Sequence, residues 1–455
     1  MGQNTFSVIN FGCRATQADG AAIEQALLSK NLVRCGTGKQ GDIVVINTCT
    51  VTRTADVQAR QMIRRVNREN PSAKIVVTGC YAQRAPQEIA QMKGVTCVVG
   101  NSHKPQLAAL VTKNHLPDQI WPDPRESAAT LPGGAAVYCS SIFESQELRS
   151  IANMSGGTRT RAFLKVQDGC SYRCSYCVIP FVRGPSRSLP LEEVLHQTGH
   201  LLQADYKEIV LTGIHLGGYG RDLTPQSDLA RLIRRLLQEA PLQRLRLSSV
   251  EPLEMTDELI DLIAASPKMA KHFHLPLQSG SPRILRLMRR PYQPDEYLGL
   301  IEKIRRRVPA AAIGADVMVG FPTETEEDHA QTRDLIQQSP LTYLHVFPFS
   351  RRPGTDAALL KGDIPKKIAK RRSLDLRSLA FKKNQRFRES QVGELLPVIT
   401  LETQSRGLET RALSSNYLPV NVMGVNLQPN LLMKVLVTGL TSDGVTANSL
   451  RTIHS

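Results

Sequence analysis

The chain has 455 residues, a formal net charge of +16 and a pI of about 9.6. This length predicts two to four domains, and nine cysteines are too few for a disulfide scaffold. No run approaches the ~18 apolar residues of a membrane span, and no secretory signal pattern opens the chain. We therefore expect a protein of the reducing cytoplasm.

The N-terminal third alternates apolar strands with helices. This alternation predicts an α/β fold with a parallel, doubly wound sheet over residues 1–114. From residue 115 to residue 157, prolines and glycines interrupt any periodicity, which predicts a linker without a functional site. The predicted strands of the N-terminal domain cover residues 5–10, 42–46, 74–78 and 95–99.

Three cysteines each follow the carboxyl end of a predicted strand: Cys13, Cys49 and Cys80. In an open parallel sheet these ends share one edge, where ligands bind, so we expect the three thiols to meet. Three unrelated buried cysteines would be the alternative, since free cysteine is often buried. The other three cysteines outside the central motif do not share this pattern and are interpreted as structural or incidental: Cys35, Cys97 and Cys139.

A second set of three cysteines lies in the segment GCSYRCSYC, at Cys170, Cys174 and Cys177. The C-x-x-x-C-x-x-C spacing favours one soft metal centre bound by a short loop. Three thiolates on a [4Fe–4S] cluster leave one iron open to a small molecule. A zinc knuckle is the alternative, but zinc motifs usually carry a second ligand pair downstream, and none follows here.

The central region, residues 158–387, continues as six strand–helix units. This pattern predicts a partial parallel (βα)6 barrel with its chemistry at the carboxyl ends of the strands. Four residues at these predicted ends are candidates for cofactor binding: Gly213, His215, Glu251 and His274. Each also has a structural interpretation: a turn glycine, a helix-start carboxylate or a hydrogen-bonded core histidine.

The C-terminal region combines a basic helix with short strands. Residues 366–388 contain ten basic residues and one acidic residue, Asp375. Residues 388–455 show five short strands separated by turns, which predicts a small antiparallel barrel. The helix could be an ordinary solvated face, but beside such a barrel it suits phosphate contacts, since phosphates attract lysine and arginine.

The central cysteine loop resembles the signature of radical S-adenosylmethionine (SAM) enzymes, C-x-x-x-C-x-Φ-C, with Tyr176 at the aromatic position. The whole chain resembles the methylthiotransferase family, with its N-terminal cluster domain, radical-SAM domain and C-terminal TRAM domain. The matching motifs are NTCTVT at 47–52, VTGCYAQ at 77–83, the Cys170 loop, and HLPLQSGS at 274–281. LTGIH at 211–215 and HVFPFS at 345–350 look most like the bacterial branch acting on N6-threonylcarbamoyladenosine at position 37 of tRNA.

This resemblance implies two [4Fe–4S] clusters and SAM as cofactors. Cys170, Cys174 and Cys177 would hold the SAM-cleaving cluster, and Cys13, Cys49 and Cys80 an auxiliary cluster that carries the donated sulfur. It also implies a tRNA anticodon loop as substrate and a cellular electron donor as partner. The family pattern is altered at Thr16, where asparagine is usual, and the acidic residues that commonly follow are reduced to Asp19.

Two other functions stay open from the sequence. A methylthiotransferase of the same architecture could act on isopentenyladenosine-37 of tRNA or on an aspartate of a ribosomal protein. A non-catalytic, metal-containing RNA-binding protein would use the basic helix and the terminal barrel, and would form no deoxyadenosine from SAM.

Overall fold

The computed structural model describes residues 4–36, 41–112, 128–130, 135–144, 160–401, 409–424 and 426–449, and the account below concerns these. The chain folds as two compact units. Unit 1 comprises Met1–Gly156, Lys165–Glu193 and Ser350–Ala358, and unit 2 comprises Gly157–Leu164, Val194–Phe349 and Leu359–Ser455. Among the described residues, no helix is both long and apolar enough to cross a membrane.

Unit 1 is built on a seven-stranded sheet with the order β2-β1-β3-β4-β5-β7-β6, parallel except at the β6–β7 edge. Its strands are β1 (Thr5–Asn10), β2 (Val33–Arg34), β3 (Ile43–Thr48), β4 (Lys74–Gly79), β5 (Val95–Val99), β6 (Ala128–Thr130) and β7 (Ala136–Tyr138). Its helices are α1 (Arg14–Leu28), α2 (Arg53–Glu69), α3 (Cys80–Arg84), α4 (Pro86–Ala90) and α5 (Leu107–Thr112).

Helices cover both faces of this sheet, as expected for a doubly wound fold. One apolar cluster joins Val44 and Ile46 of β3 to Ile63 of α2, and another joins Val45 to Ile23 of α1. All six residues of β3 are buried, because the central strand of a parallel sheet is covered on both sides.

Part of the predicted linker, residues 115–157, contributes strands to the sheet of unit 1. Strands β6 and β7 extend the sheet of unit 1, and β7 pairs with β5 in parallel. The sequence did not reveal these strands, because each has only three residues. So short a segment shows no clear alternation of apolar and polar residues among the surrounding prolines and glycines.

Two short strands and a helix flank the central cysteine loop in unit 1. Strands β9 (Gln167–Asp168) and β10 (Arg187–Ser188) pair in antiparallel fashion and bring the ends of the loop together. Helix α6 (Ile179–Arg183) lies between them, directly after the last cysteine.

Six strands of the central region form two three-stranded sheets, β12-β11-β8 and β13-β14-β15. A bridge between Leu245 and Met269, and a hydrogen bond from the Val250 amide to the His274 carbonyl (3.0 Å), connect the sheets. The predicted partial (βα)6 barrel is thereby confirmed. Its strands are β8 (Arg161–Lys165), β11 (Glu208–Thr212), β12 (Arg244–Leu247), β13 (His272–His274), β14 (Ala312–Val319) and β15 (Tyr343–Pro348).

The helices of this barrel follow its strands in the predicted order. They are α7 (Leu191–Gln203), α8 (Leu229–Glu239), α9 (Asp257–Ala265), α10 (Pro282–Leu287), α11 (Pro294–Arg307), α12 (Glu326–Gln338) and α13 (Lys366–Glu389). Side-chain caps fix several starts; for example, Thr325 and Asp328 form a reciprocal capping box at α12.

The C-terminal strands close into a barrel in the order β16-β17-β18-β20-β19. The predicted small β-barrel is confirmed, with one difference: β18 and β20 pair in parallel, whereas the other four pairings are antiparallel. The strands are β16 (Leu395–Thr400), β17 (Glu409–Ser414), β18 (Pro419–Met423), β19 (Leu432–Leu440) and β20 (Val445–Ser449).

Candidate metal centre and active site

The three N-terminal cysteines lie at one edge of the unit 1 sheet. Cys13 is the residue before α1, Cys49 follows β3, and Cys80 is the first residue of α3. The strands that precede them, β1, β3 and β4, are adjacent and parallel, so their carboxyl ends share that edge. The structure thus places the three thiols where the sequence pattern predicted them.

Two glycines allow the backbone to bring these cysteines together. Gly12 has a φ of +105°, and a Cβ there would lie 2.6 Å from Cys49 Cβ. Gly79 has a φ of +98°, and a Cβ there would lie 2.3 Å from the Thr48 carbonyl oxygen. A side chain at either position would push apart the segments that carry Cys13, Cys49 and Cys80.

Hydrogen-bond donors surround the sulfur atoms. Arg183 Nε lies 3.2 Å and Asn101 Nδ2 3.7 Å from Cys80 Sγ, and Thr16 Oγ1 lies 3.4 Å from Cys13 Sγ. Such donors stabilise thiolates and tune a bound cluster. Burial, and then the neighbouring Cys80, raises the pKa of Cys49 to about 12, so metal binding must displace the thiol proton.

Thr16 and Asp19 follow Cys13 on helix α1, and both have defined contacts. Thr16 faces the sulfur of Cys13 through its hydroxyl. Asp19 is buried and accepts hydrogen bonds from Lys104 Nζ (2.9 Å), Lys165 Nζ and Arg183 Nη2 (2.9 Å). One acidic residue therefore pairs with three cations.

Arg183 connects the two cysteine sets through its guanidinium group, and its side chain is 1% exposed. Nη2 donates to Asp19, Nη1 donates to Asp168 at 2.8 Å, and Nε points at Cys80 Sγ. Burial alone would raise the pKa of Asp19, but the surrounding Lys104, Lys165 and Arg183 hold it well below its ordinary value. Both carboxylates are therefore ionised and paired.

The Cys170 loop begins directly after Asp168. Gly169 has a φ of +73°, and a Cβ there would lie 1.9 Å from the Pro185 carbonyl oxygen, so only glycine fits. The Cys170 amide donates to the Gly184 carbonyl at 3.0 Å, and the Cys177 amide to the Cys174 carbonyl at 3.1 Å. These bonds fold the C-x-x-x-C-x-x-C segment into a closed loop.

An apolar contact continues this connection between the cysteine sets. Val178 and Val182, which follow the loop, pack with Cys80 in one buried cluster. Asn101 Nδ2 also donates to the Val182 carbonyl at 2.7 Å. Both sets of three cysteines thus belong to unit 1.

Sequence reasoning missed a second buried ionic network in unit 1. Asp56 accepts from Thr50 Oγ1 (2.6 Å), Arg84 Nη2 (3.0 Å) and Arg352 Nη2 (2.6 Å). Thr50 directly follows Cys49, so this network fixes the segment that carries that thiol. The sequence signal that could have revealed this network is the run of polar residues in the NTCTVT motif.

Of the predicted cofactor residues, Tyr176 lies in the Cys170 loop of unit 1, and the others lie in unit 2. Gly213 follows β11. His215 is buried and pairs through Nε2 with Glu254 Oε2 at 2.8 Å. Glu251 forms an ion pair with Arg290. These ion pairs hold the side chains of His215 and Glu251 in place. The part of both residues in cofactor binding stays a prediction.

His274, the last predicted cofactor residue, belongs to a polar cluster inside unit 2. Its Nε2 lies 3.1 Å from Asp316 Oδ1, and its Nδ1 lies 3.0 Å from the Tyr343 hydroxyl. His345 Nδ1 lies 3.2 Å from the same Asp316 oxygen. The sequence did not single out Asp316, because no local pattern distinguishes it from a core position of β14.

Comparison with protein-family models gives two matches. Residues 164–336 match the radical SAM superfamily, and residues 5–100 match the Uncharacterized protein family UPF0004. These ranges contain the second and first cysteine sets respectively.

Curated relatives extend over almost the whole chain. The threonylcarbamoyladenosine tRNA methylthiotransferase MtaB of Aquifex aeolicus is 39% identical, covering 94% of this chain and 98% of the relative. A tRNA-2-methylthio-N(6)-dimethylallyladenosine synthase of Thermotoga petrophila is 31% identical, covering 89% and 87% respectively.

Among solved structures, the radical S-adenosylmethionine methyltransferase TsrM of Kitasatospora setae has a similar fold. Its TM-score is 0.55 at 16% identity, covering 76% of this chain and 73% of that one. At this identity the similarity concerns the fold alone.

We expect Arg183→Gln to destabilise unit 1 by about 3 kcal/mol or more, because it leaves two buried carboxylates short of a partner. Urea unfolding of the cluster-free protein measures this loss. The control is Arg65→Gln, which breaks the exposed i,i+4 pair with Glu69 and should change stability by less than about 1 kcal/mol. Equal unfolding midpoints for the two variants would contradict the prediction.

Proposed function

The chain belongs to the radical-SAM tRNA methylthiotransferase family, and on that premise we propose that it adds a methylthio group to C2 of N6-threonylcarbamoyladenosine at position 37 of tRNA. The observation that carries this proposal is the 39% identity to the Aquifex methylthiotransferase over 94% of the chain. The lower identity to the dimethylallyladenosine synthase, 31%, favours the threonylcarbamoyl substrate over the apolar one.

We assign Cys170, Cys174 and Cys177 to the SAM-cleaving [4Fe–4S] cluster, and Cys13, Cys49 and Cys80 to the auxiliary cluster. The residues fit such groups: each set offers three thiols, Arg183 and Asn101 donate to Cys80 sulfur, and the Thr16 hydroxyl contacts Cys13 sulfur. When bound, the two clusters and SAM supply a carbon-centred radical and a sulfur donor, which an unactivated C–H bond requires.

The chain's own residues hold and shield this chemistry. The guanidinium of Arg183 compensates negative charge at Cys80, and burial of Cys49 and Cys80 keeps water from the sulfurs. Gly12, Gly79 and Gly169 let the backbone segments approach closely enough to carry the thiols. We further assign five residues to the surroundings of SAM: Tyr176, Gly213, His215, Glu251 and His274. Tyr176 is assigned from its position in the cysteine loop and the other four from their positions at the carboxyl ends of the predicted barrel strands, together with the family resemblance.

For the substrate, we propose that the C-terminal barrel and part of α13 contact the tRNA backbone. Half of the ten basic residues of α13 have protein partners: Arg371, Arg372, Arg377, Lys383 and Arg388. The other five are the candidates for phosphate contacts: Lys366, Lys367, Lys370, Lys382 and Arg386.

The proposal includes a cytoplasmic location and a cellular electron donor, because tRNA modification by SAM cleavage requires both tRNA and a reductant. It also includes domain boundaries at 1–114, 158–387 and 388–455. The boundary at 388 is supported by the end of α13 at Glu389, ahead of the first strand of the C-terminal barrel, which begins at Leu395.

We expect deletion of the gene to abolish 2-methylthio-N6-threonylcarbamoyladenosine in bulk tRNA and to leave its unmethylthiolated precursor. Mass spectrometry of digested tRNA nucleosides measures both. Loss of 2-methylthio-isopentenyladenosine instead would identify the sister substrate. Unchanged levels of both would exclude a tRNA methylthiotransferase.

The iron content separates the two cysteine sets. Anaerobically reconstituted protein should contain about eight irons, and a Cys13→Ala/Cys49→Ala/Cys80→Ala variant about four, since each [4Fe–4S] cluster holds four. About four irons in both proteins would mean that the N-terminal thiols bind no cluster. Zinc in place of iron would favour a non-catalytic binding protein.

We expect a Lys366→Ala/Lys367→Ala/Lys370→Ala variant to bind tRNA more weakly and with a shallower salt dependence. Each lost phosphate contact lowers the slope of log K against log salt by about 0.7–0.9, so three contacts correspond to about 2–3. Filter binding over a salt series measures the slope. A control variant, Arg234→Ala, removes an exposed arginine paired with Glu258 on the barrel's outer helices and should keep the wild-type slope.

A further inference from the structure

Three adjacent strands of the unit 2 barrel place polar side chains on one face. In the parallel register, His274 lies beside Gly314 and Gly314 beside Tyr343, while Asp316 lies beside His345. The alternate residues of β14, including Ile313, Ala315 and Val317, are fully buried on the opposite face. The polar group therefore occupies the face turned away from the helices, which is the barrel interior.

Gly314 leaves space for these polar side chains because it has no side chain of its own. A Cβ there would lie 1.9 Å from the ring of Tyr343, so the ring lies directly across the glycine. The Tyr343 hydroxyl then reaches both His274 Nδ1 (3.0 Å) and His272 Nε2 (2.7 Å). One end of the group is covered, because Tyr417 stacks on His272 with ring centroids 4.4 Å apart.

A continuous hydrogen-bond chain orders the protons of this cluster. His274 Nε2 and His345 Nδ1 each contact Asp316 Oδ1, so each presents its N–H to the carboxylate. Burial acts to raise the pKa of Asp316, but the bonds from His274 and His345 outweigh it and hold the pKa below its ordinary value. Asp316 is accordingly an ionised acceptor fixed between two imidazoles.

Part of the cluster is open for contact. The bonds from His274 and His345 both use Asp316 Oδ1, and the Asp316 side chain is 26% exposed, which leaves acceptor capacity at the second oxygen. The His345 side chain is 62% exposed, and its contact with Asp316 uses Nδ1 and not Nε2. The open surface thus offers an anionic acceptor beside an imidazole nitrogen.

We propose that Asp316 and His345, oriented by His274 and Tyr343, form the subsite for the N6-threonylcarbamoyl group of the substrate. This inference rests on the proposed function and names its substrate-recognising residues. The threonylcarbamoyl group has ureido N–H groups and a hydroxyl that can donate to Asp316, and a carboxylate and hydroxyl that suit the His345 edge.

The same surface disfavours the apolar substituent of the sister substrate. A dimethylallyl group has no hydrogen-bond donor, so placing it here would desolvate the Asp316 carboxylate without replacing its water. A site built to hydrogen-bond its substrate discriminates strongly against an analogue that cannot. The cluster therefore explains selectivity for a polar N6 substituent.

A divalent cation is the competing occupant. One ligand atom from each of His274, Asp316 and His345 lies within 4.8 Å of the others, and two imidazoles with a carboxylate suit a transition metal. The imidazole nitrogens that would bind the metal instead contact Asp316 directly, at 3.1 and 3.2 Å. The observed contacts therefore favour an organic group at the outer edge of the cluster.

The test compares binding of reconstituted full-length protein to two anticodon stem-loop RNAs, one with N6-threonylcarbamoyladenosine and one with unmodified adenosine at position 37. The wild type should prefer the modified RNA. Asp316→Asn and His345→Phe should each reduce this preference by about tenfold or more, since hydrogen bonds to charged groups are lost. Iron content should stay at the wild-type level, because the cysteine sets lie in unit 1 and both substitutions lie in unit 2.

The control variant is His329→Gln, which removes another histidine–carboxylate contact, to Asp375 (3.0 Å), on helices α12 and α13. It should keep the wild-type preference. An unchanged preference in both Asp316→Asn and His345→Phe would overturn the subsite. One equivalent of zinc or manganese that disappears in Asp316→Asn would overturn it in favour of a cation site.

A third RNA, carrying isopentenyladenosine at position 37, separates failure of the subsite from failure of the proposed function. Wild-type methylthiolation of that RNA, and not of the threonylcarbamoyl RNA, would reject the proposed function and the subsite with it. Wild-type methylthiolation of the threonylcarbamoyl RNA with unaltered preference in the variants would reject the subsite alone.

Discussion

The buried guanidinium of Arg183 is the interaction on which the geometry of unit 1 depends. It contacts Asp19 in α1, Cys80 after β4, and Asp168 at the entry to the Cys170 loop. A buried charge without partners is strongly unfavourable, so these segments can pack only in the arrangement that pairs them. One side chain thereby fixes the first cysteine set relative to the second within the same compact unit.

The sequence predicted the structure well wherever the cysteines lie beside strands with a clear apolar pattern or within a short motif. Strand β1 was predicted with its observed bounds, Thr5–Asn10, and so was β5, Val95–Val99. Because the ends of adjacent parallel strands share an edge, placing Cys13, Cys49 and Cys80 after strands was enough to predict that they meet. Spacing alone predicted the loop at Cys170, since three thiols within eight residues need only local backbone freedom.

What the sequence could not predict depends on contacts between distant segments. Asp19 and Arg183 are 164 residues apart, and Asp56 and Arg352 are 296 apart, so neither pair leaves a local pattern. Strand β7 exists because β5 offers an open edge, and not because Ala136–Tyr138 strongly prefers an extended conformation. Likewise His274 was recognised as a rim residue, but its partner Asp316 is identified only by the register of β13 and β14.

Within unit 2, the C-terminal barrel is anchored to the strands that carry the polar cluster. Arg246 is buried, is neutralised by Glu208 through Nε at 2.7 Å, and donates to the Ser414 and Ser415 carbonyls at the end of β17. Tyr417, in the turn that follows, stacks on His272 at the base of the polar cluster. The C-terminal barrel is thus held to the strands that carry Asp316 and His345. Under the proposed function, an RNA bound to that barrel would therefore lie at a fixed distance from Asp316 and His345.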